Sequence, residues 1–228
     1  VNGELRRDLN AAWEQLRNDD EAWVAIVTGA GRAFCAGADL KEPGSAVGND
    51  QHSFWEVPSF TSLESGMEIW KPIIAAVNGY ALGFGLTLVA SCDYVLAADN
   101  ASFGFPEVQL GVPTVQGAVR MPQVVGWQNA MELLLWGDRV DAQRAKEMGL
   151  VQRVVPAEDL ALRVEEEERG MLAAAEVVEK LVVRALLDGR THFPALPEAP
   201  GGEGDGILAR LRELTPQQMK VLSLICEG

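Results

Sequence analysis

The sequence contains little cysteine, little histidine and no long apolar run. Its 228 residues include three cysteines, Cys35, Cys92 and Cys226, and two histidines, His52 and His192. An odd number of cysteines without CxxC spacing argues against a disulfide framework. Together with the absence of a secretory signal pattern, it predicts a cytoplasmic protein. The two histidines lack metal-ligand spacing, so we expect no metal site. No apolar run is long enough to span a bilayer, so we expect no membrane partner.

Positive charge is also scarce. Nineteen lysines and arginines stand against 33 aspartates and glutamates, which gives a net charge of −14. Nucleic acids and anionic membranes bind basic faces, so neither is an expected partner. An anionic ligand would need local basic groups or backbone N–H groups to hold it. The length and the 48% hydrophobic content fit one globular domain with an appended helical segment.

The common nucleotide and hydrolase motifs are incomplete or missing. The stretch from Gly29 to Phe34 starts as a dinucleotide fingerprint, but Phe34 stands where the third glycine belongs. The stretch from Gly83 to Leu88 fails in the same way. No GxxxxGK[ST] and no GxSxG occur, which disfavours a P-loop NTPase and an α/β-hydrolase. An NAD(P)-binding oxidoreductase stays an alternative that a fluorescence titration would test.

Helical and strand patterns alternate along the chain. Apolar periodicity and turn signals predict helices over 4–17, 60–70, 86–91, 122–136, 142–148 and 158–187, and strands over 23–28, 73–77 and 150–155. Residues 188–206 read as a linker, and a capping box at 215–218 predicts a terminal helix through about Leu224. This alternation predicts an α/β fold with a mostly parallel sheet.

Two glycine turns leave backbone N–H groups free. Gly83-Phe84-Gly85 opens an apolar helix, and Ala36-Gly37-Ala38-Asp39 follows an earlier strand. The first N–H groups of a helix have no partner inside it, and glycine lets a ligand approach the backbone closely. Each turn by itself is an ordinary strand-to-helix connection. Two such turns predict paired donors for an anion or for a developing anion.

Several blocks of the sequence resemble one family. They are FCAGADLK (34–41), KPIIAAVNGYALGFGLTLVASCDYVLAADNASFGFPEVQLG (71–111) and GDRVDAQRAKEMGLVQRVVP (137–156). In order and spacing they are similar to the crotonase superfamily, the enoyl-CoA hydratase/isomerase family. The resemblance implies a spiral of ββα units, a crotonase core over 1–156 and a C-terminal helical segment over 157–228. It also implies acyl-CoA thioester substrates, no bound cofactor beyond the CoA of the substrate, and a homotrimer or a hexamer made of two trimers.

The resemblance also implies roles for particular residues. The N–H groups of Ala38 and Phe84 would hold the thioester oxygen, and Glu107 in FGFPE would be the acid/base. Hydratases of the family carry a second glutamate where this chain has Thr87. A threonine does not act as a general base near neutral pH. The set expected to contact substrate or CoA further comprises Arg32, Ala36, Gly37, Asp39, Lys41, Gly83, Gly85 and Thr87. For Arg32 and Lys41, an ordinary surface charge is the alternative.

The missing glutamate leaves the reaction open. One carboxylate suffices for an isomerase that moves a proton from the α to the γ carbon. Hydration would need another group, such as a water held by Thr87 or the loop residue His52. The alternatives are a CoA-binding protein with impaired catalysis and another crotonase reaction, such as decarboxylation or C–C hydrolysis.

Overall fold

A computed structural model of the chain describes residues 1–39, 62–187 and 220–226. Two candidates from the sequence, Lys41 and His52, lie outside the described residues. The helices are α1 (Gly3–Asn18), α2 (Phe84–Val89), α3 (Gln116–Val125), α4 (Trp127–Trp136), α5 (Ala142–Glu147) and α6 (Leu160–Leu187). The strands are β1 (Ala22–Gly29), β2 (Ala33–Cys35), β3 (Ile73–Val77), β4 (Tyr80–Leu82), β5 (Tyr94–Ala98), β6 (Ser102–Gly104), β7 (Val140–Asp141), β8 (Arg153–Val155) and β9 (Lys220–Cys226). Short 3-10 helices cover Leu63–Ser65, Pro106–Leu110 and Ala157–Asp159.

The strands form two sheets, and the chain alternates between them. The larger sheet has the order β8-β5-β3-β1-β9 and is parallel throughout. The smaller sheet has the order β2-β4-β6-β7, with β2, β4 and β6 parallel and β7 antiparallel to β6. From β1 to β6, each odd-numbered strand joins the larger sheet and the next strand joins the smaller one. This succession is the predicted spiral, and the mostly parallel arrangement is confirmed.

Strands β1, β3 and β5 of the larger sheet are buried on both faces. Along β1, Ala25 and Val27 pack into the core cluster between the sheets, whereas Val24 and Ile26 pack beneath α6. Strands covered on both faces read as continuous apolar runs, which is why β1 and β3 were predictable from sequence. In the described part of the chain, no helix combines the length and the apolar character that crossing a membrane requires.

Helix α1 follows its predicted pattern closely. The Asn2 side chain caps it by accepting the Leu5 N–H at 2.8 Å. Leu9, Trp13 and Leu16 recur on one face and are buried in the core. This packing presents the N-terminal end of α1 to the turn after β2, where the Asp39 N–H donates to the Val1 carbonyl at 3.0 Å.

Two helix predictions were wrong in their extent. Of the helix predicted over 60–70, the described part holds only the 3-10 helix Leu63–Ser65, which ends at Gly66 in the left-handed region with φ of 97°. The helix predicted over 122–136 is two helices. Gly126, with φ of 78° and ψ of 164°, separates α3 from α4, and Pro122 lies inside α3.

The terminal helix prediction was also wrong. Where the structure describes that segment, Lys220–Cys226 forms β9, parallel to β1 at the edge of the larger sheet. A run such as KVLSLIC is apolar enough for either structure, and pairing with β1 decides in favour of a strand. The strand predicted over 150–155 is shorter, Arg153–Val155.

Candidate active site

Three turns meet at one edge of the smaller sheet. Strands β2, β4 and β6 are parallel neighbours, with Cys35 opposite Ala81 and Leu82 opposite Gly104. Their carboxyl ends therefore lie side by side, and the carboxyl edge of parallel strands is where such sheets bind ligands. The segments that follow these ends are the two glycine turns and the loop with Glu107. Topology thus brings together parts of the chain that are about 70 residues apart in sequence.

The two glycine turns touch each other through their backbones. A Cβ at Gly37, whose φ is 97°, would lie 3.2 Å from the Leu82 carbonyl oxygen. A Cβ at Gly85 would lie only 2.2 Å from the Cys35 carbonyl oxygen, well inside contact distance. Gly85 therefore has no space for a side chain, and Gly37 combines a tight contact with a φ that side chains rarely adopt, so both positions favour glycine.

The two candidate donors sit on this contact. Neighbouring N–H groups are taken: that of Gly83 donates to the Gly104 carbonyl at 3.0 Å and that of Thr87 to the Gly83 carbonyl at 3.1 Å. Within the described residues, the N–H groups of Ala38 and Phe84 have no hydrogen-bond acceptor. Phe84 is the first residue of α2, so its N–H lacks an acceptor inside the helix.

Glu107 faces the same turn. It is the second residue of the 3-10 helix Pro106–Leu110, three residues after β6 ends. A Cβ on Gly83 would lie 2.9 Å from its Oε1, so the carboxyl rests against the Gly83 Cα. Its Oε2 is buried and lacks a hydrogen-bond partner among the described residues. Burial raises the pKa of the Glu107 carboxyl above its ordinary value, and interactions with its own backbone and with the Thr114 side chain lower it in part.

Thr87 does not offer a free hydroxyl. Its side chain is 5% exposed, and its Oγ1 donates to the Gly83 carbonyl at 3.3 Å, one turn earlier in α2. This is the helix-internal bond that buried threonines make with the carbonyl four residues before them. This bond commits the hydroxyl proton of Thr87 to the Gly83 carbonyl, so the hydroxyl meets a water only through the lone pairs of its oxygen.

The structure places one predicted residue, Arg32, away from the other candidates, and it adds Arg6, which the sequence did not indicate. Arg32 precedes β2, and its carbonyl would lie 2.1 Å from a Cβ on Gly79, so its backbone lies at the opposite end of the strands. Arg6 was missed by sequence reasoning. Its guanidinium lies 5.6 Å from the centre of the Phe84 ring, in the range of a cation–π contact. No spacing rule links residues on α1 and α2, so only the tertiary structure reveals this pair.

The described residues contain no group of three or more side chains suited to a metal ion. The groups that lie near one another here are the amides of Ala38 and Phe84, which have no acceptor among the described residues, and the carboxyl of Glu107. Amides of this kind stabilise negative charge that develops on an oxygen, and a carboxyl in a partly apolar place transfers protons.

Residues 1–188 match the model of the enoyl-CoA hydratase/isomerase family. A probable enoyl-CoA hydratase of Mycobacterium leprae is 33% identical over 95% of this chain and 88% of its own length. One of Mycobacterium tuberculosis is 40% identical over 70% of this chain, and the match spans 62% of that relative. A crystal structure of enoyl-CoA hydratase from Bacillus anthracis superposes with a TM-score of 0.62, at 35% identity, covering 78% of this chain and 67% of the other.

Proposed function

Because the chain belongs to the enoyl-CoA hydratase/isomerase family, we propose that it binds an acyl-CoA thioester and stabilises the enolate of that thioester. The observation that carries this proposal is the meeting of three strand ends. There the N–H groups of Ala38 and Phe84, which lack an acceptor in the part of the chain that the structure describes, share one edge of the smaller sheet with the carboxyl of Glu107.

The two amides supply the electrostatic part of the mechanism. When a proton leaves the α carbon, its bonding electrons move onto the thioester oxygen, which becomes negative. Amides already in place meet this charge without reorganising, and a donor of this kind is worth about 3–4 kcal/mol of barrier. Glycines 37 and 85 maintain the contact between the turns, so the spacing of the donors depends on backbone packing rather than on side-chain rotamers.

Glu107 supplies the proton transfer. As carboxylate it takes a proton from the α carbon of a 3-enoyl-CoA, and as carboxylic acid it returns that proton to the γ carbon, which yields the 2-enoyl-CoA. The raised pKa supports this role because proton transfer uses both the ionised and the protonated carboxyl. A raised pKa brings the populations of these two forms closer together near neutral pH. This isomerisation needs one carboxylate, and it is the chemistry that the residues at the turn support most directly.

Hydration of a 2-enoyl-CoA is the second candidate, since the relatives named above are called enoyl-CoA hydratases. It requires a group that activates water, and Thr87, whose hydroxyl bonds the Gly83 carbonyl, does not supply it. We expect no metal or redox cofactor for either reaction, with CoA entering only as part of the substrate.

The proposal extends to assembly and location. Large apolar side chains on α4 and at the start of α3 are exposed: Val115, Val119, Trp127, Leu135 and Trp136. An apolar surface of this kind fits contact between copies of the chain, in support of a homotrimer or of a hexamer made of two trimers. With its acidic composition and odd number of cysteines, the chain fits the cytoplasm.

The test compares wild type with Glu107→Gln on a 3-enoyl-CoA, on 2-enoyl-CoAs of two chain lengths and in α-proton exchange in D₂O. Loss of a positioned acid/base should lower isomerisation and exchange by about 10²–10⁴-fold. Glu158→Gln is the matched control, because Glu158 is also the second residue of a short 3-10 helix but is exposed. If Glu107→Gln retains every activity within a few-fold, Glu107 is not the acid/base. Tight acyl-CoA binding by calorimetry with no reaction would instead support a CoA-binding protein.

A further inference from the structure

Two carboxyl groups in the described part of the chain have a buried oxygen without a hydrogen-bond partner. One is Glu107, and the other is Glu64. The Oε2 atom of each is buried and has no hydrogen-bond partner among the described residues. Leaving a carboxylate oxygen buried and unpaired is unfavourable, so such an atom calls for an explanation, and a catalytic role is one explanation. The proposed proton transfer uses Glu107 and does not involve Glu64.

Glu64 is held in a defined place. It is the middle residue of the 3-10 helix Leu63–Ser65, whose first residue is buried in the core. The Ser62 hydroxyl donates to the Ser65 hydroxyl oxygen at 2.8 Å, and the Gly66 N–H closes the turn on the Leu63 carbonyl at 3.2 Å. These contacts fix the backbone on both sides of Glu64, so the direction of its side chain is restricted.

This 3-10 helix belongs to the surroundings of the candidate active site. It contacts α2, the helix that begins at Phe84. It is also tied to α3, because the Gln116 side chain donates to the Ser65 hydroxyl at 2.8 Å. Two residues before Gln116 lies Thr114, whose side chain interacts with the Glu107 carboxyl. Both carboxyl groups therefore belong to elements joined through the start of α3.

We propose that Glu64 is the second carboxylate of the site and activates the water that adds to a 2-enoyl-CoA. This inference rests on the proposed acyl-CoA function and would make the chain a hydratase despite Thr87. Glu64 takes a proton from water, and the water oxygen forms a bond to the β carbon. The C=C π electrons move onto the thioester oxygen between Ala38 and Phe84. The enolate electrons then form a C–H bond at the α carbon with the proton of Glu107. Glu64 ends protonated and Glu107 ionised, and exchange with solvent restores both.

The test separates water addition from enolate formation. Hydration of a 2-enoyl-CoA needs Glu64. Exchange of the α proton of a 3-enoyl-CoA in D₂O needs only Glu107 and the two amides. The variants are Glu64→Gln and Glu64→Asp, with Glu68→Gln as the matched control because Glu68 lies four residues on in the same segment and is exposed. We expect Glu64→Gln to lower hydration by about 10²-fold or more relative to exchange. Glu64→Asp should restore part of the hydration, and Glu68→Gln should leave both rates within a few-fold.

Each other outcome counts against the inference in an identifiable way. Hydration by Glu64→Gln within a few-fold of Glu68→Gln would overturn it. An equal fall of hydration and exchange, accompanied by a lower melting temperature, would make Glu64 a structural residue. Wild type that exchanges the α proton but hydrates no 2-enoyl-CoA would refute the role of Glu64 and leave the isomerase proposal standing. Wild type that does neither would refute the proposed function itself.

Discussion

Replacing Gly83 with alanine changes the contact between the donor turn and the carboxyl. Gly83 has φ of 57° and ψ of −117°, a conformation that residues with a side chain rarely adopt. The added Cβ would lie 2.9 Å from Glu107 Oε1 and 3.4 Å from its Cδ. The alanine therefore strains the backbone directly before Phe84 and pushes the carboxyl away from the turn.

The size of both effects follows from the geometry. Ordinary contact begins near 3.4 Å, so the Glu107 oxygen has to move by at least about 0.5 Å. Since a misplacement of 1 Å costs about 10²-fold in rate, we expect kcat/KM to fall by about 10-fold to 10²-fold. The glycine-only conformation costs about 1–3 kcal/mol when alanine is forced into it. For a chain of this length, that lowers Tm by about 2–12 °C.

Gly126→Ala is the matched control for this prediction. Gly126 also has a conformation that favours glycine, with φ of 78° and ψ of 164°, but a Cβ there meets open space. It should lower Tm by a similar amount and leave kcat/KM unchanged. The assays are thermal unfolding by circular dichroism and turnover of 3-enoyl-CoA and 2-enoyl-CoA. The reasoning is refuted if the folded Gly83→Ala protein works within about three-fold of Gly126→Ala.

Three further predictions concern the same site. Burial raises the folded-state pKa of Glu107, so its contribution to stability is present below the unfolded pKa of about 4.5 and is lost as pH rises through the folded value. Glu107→Gln should therefore raise Tm at pH 8 but not near pH 4, and equal shifts at both pH values would contradict the burial argument. Thr87→Val removes a helix-internal bond to Gly83, so activity should stay within a few-fold, whereas a hundred-fold loss in steady-state turnover would show that the hydroxyl acts on substrate. Gly85→Ala places a Cβ 2.2 Å from the Cys35 carbonyl oxygen, and we expect little folded protein by gel filtration; a stable, active variant would mean that the two turns are not in contact.

Much of the fold was readable from local patterns. Helix α1, strand β3 and helix α5 agree with the periodicity and turn signals that predicted them, and the Asp141 side chain caps α5 by accepting the Arg144 N–H at 2.7 Å. Each of these elements has a local signal in the sequence, namely an apolar stripe, an apolar run or a capping residue. Blocks 34–41 and 71–111 likewise led to the family that residues 1–188 match.

The strands of the smaller sheet were not predicted from sequence. β4 and β6 have three residues each and β7 has two, which is too short for a period to show. The helix predicted from residue 122 starts six residues too late, because a proline and nearby glycines look like breaks, whereas α3 begins at Gln116 and continues through Pro122. Such segments take their conformation from pairing and packing, which a local pattern does not contain.

The sequence by itself determined the ingredients of the site: two glycine turns whose amides lack local partners, one glutamate after a proline, and a threonine where a second carboxylate would stand. Tertiary structure alone decided that these ingredients meet, because parallel pairing of β2, β4 and β6 places their carboxyl ends at one edge. It also decided that the Arg32 backbone lies beside Gly79, at the end of the strands away from the turns, and that the Arg6 guanidinium lies over the Phe84 ring. Periodicity describes neighbours along the chain, whereas contacts across a sheet depend on strand order and register, which arise only when the whole chain packs.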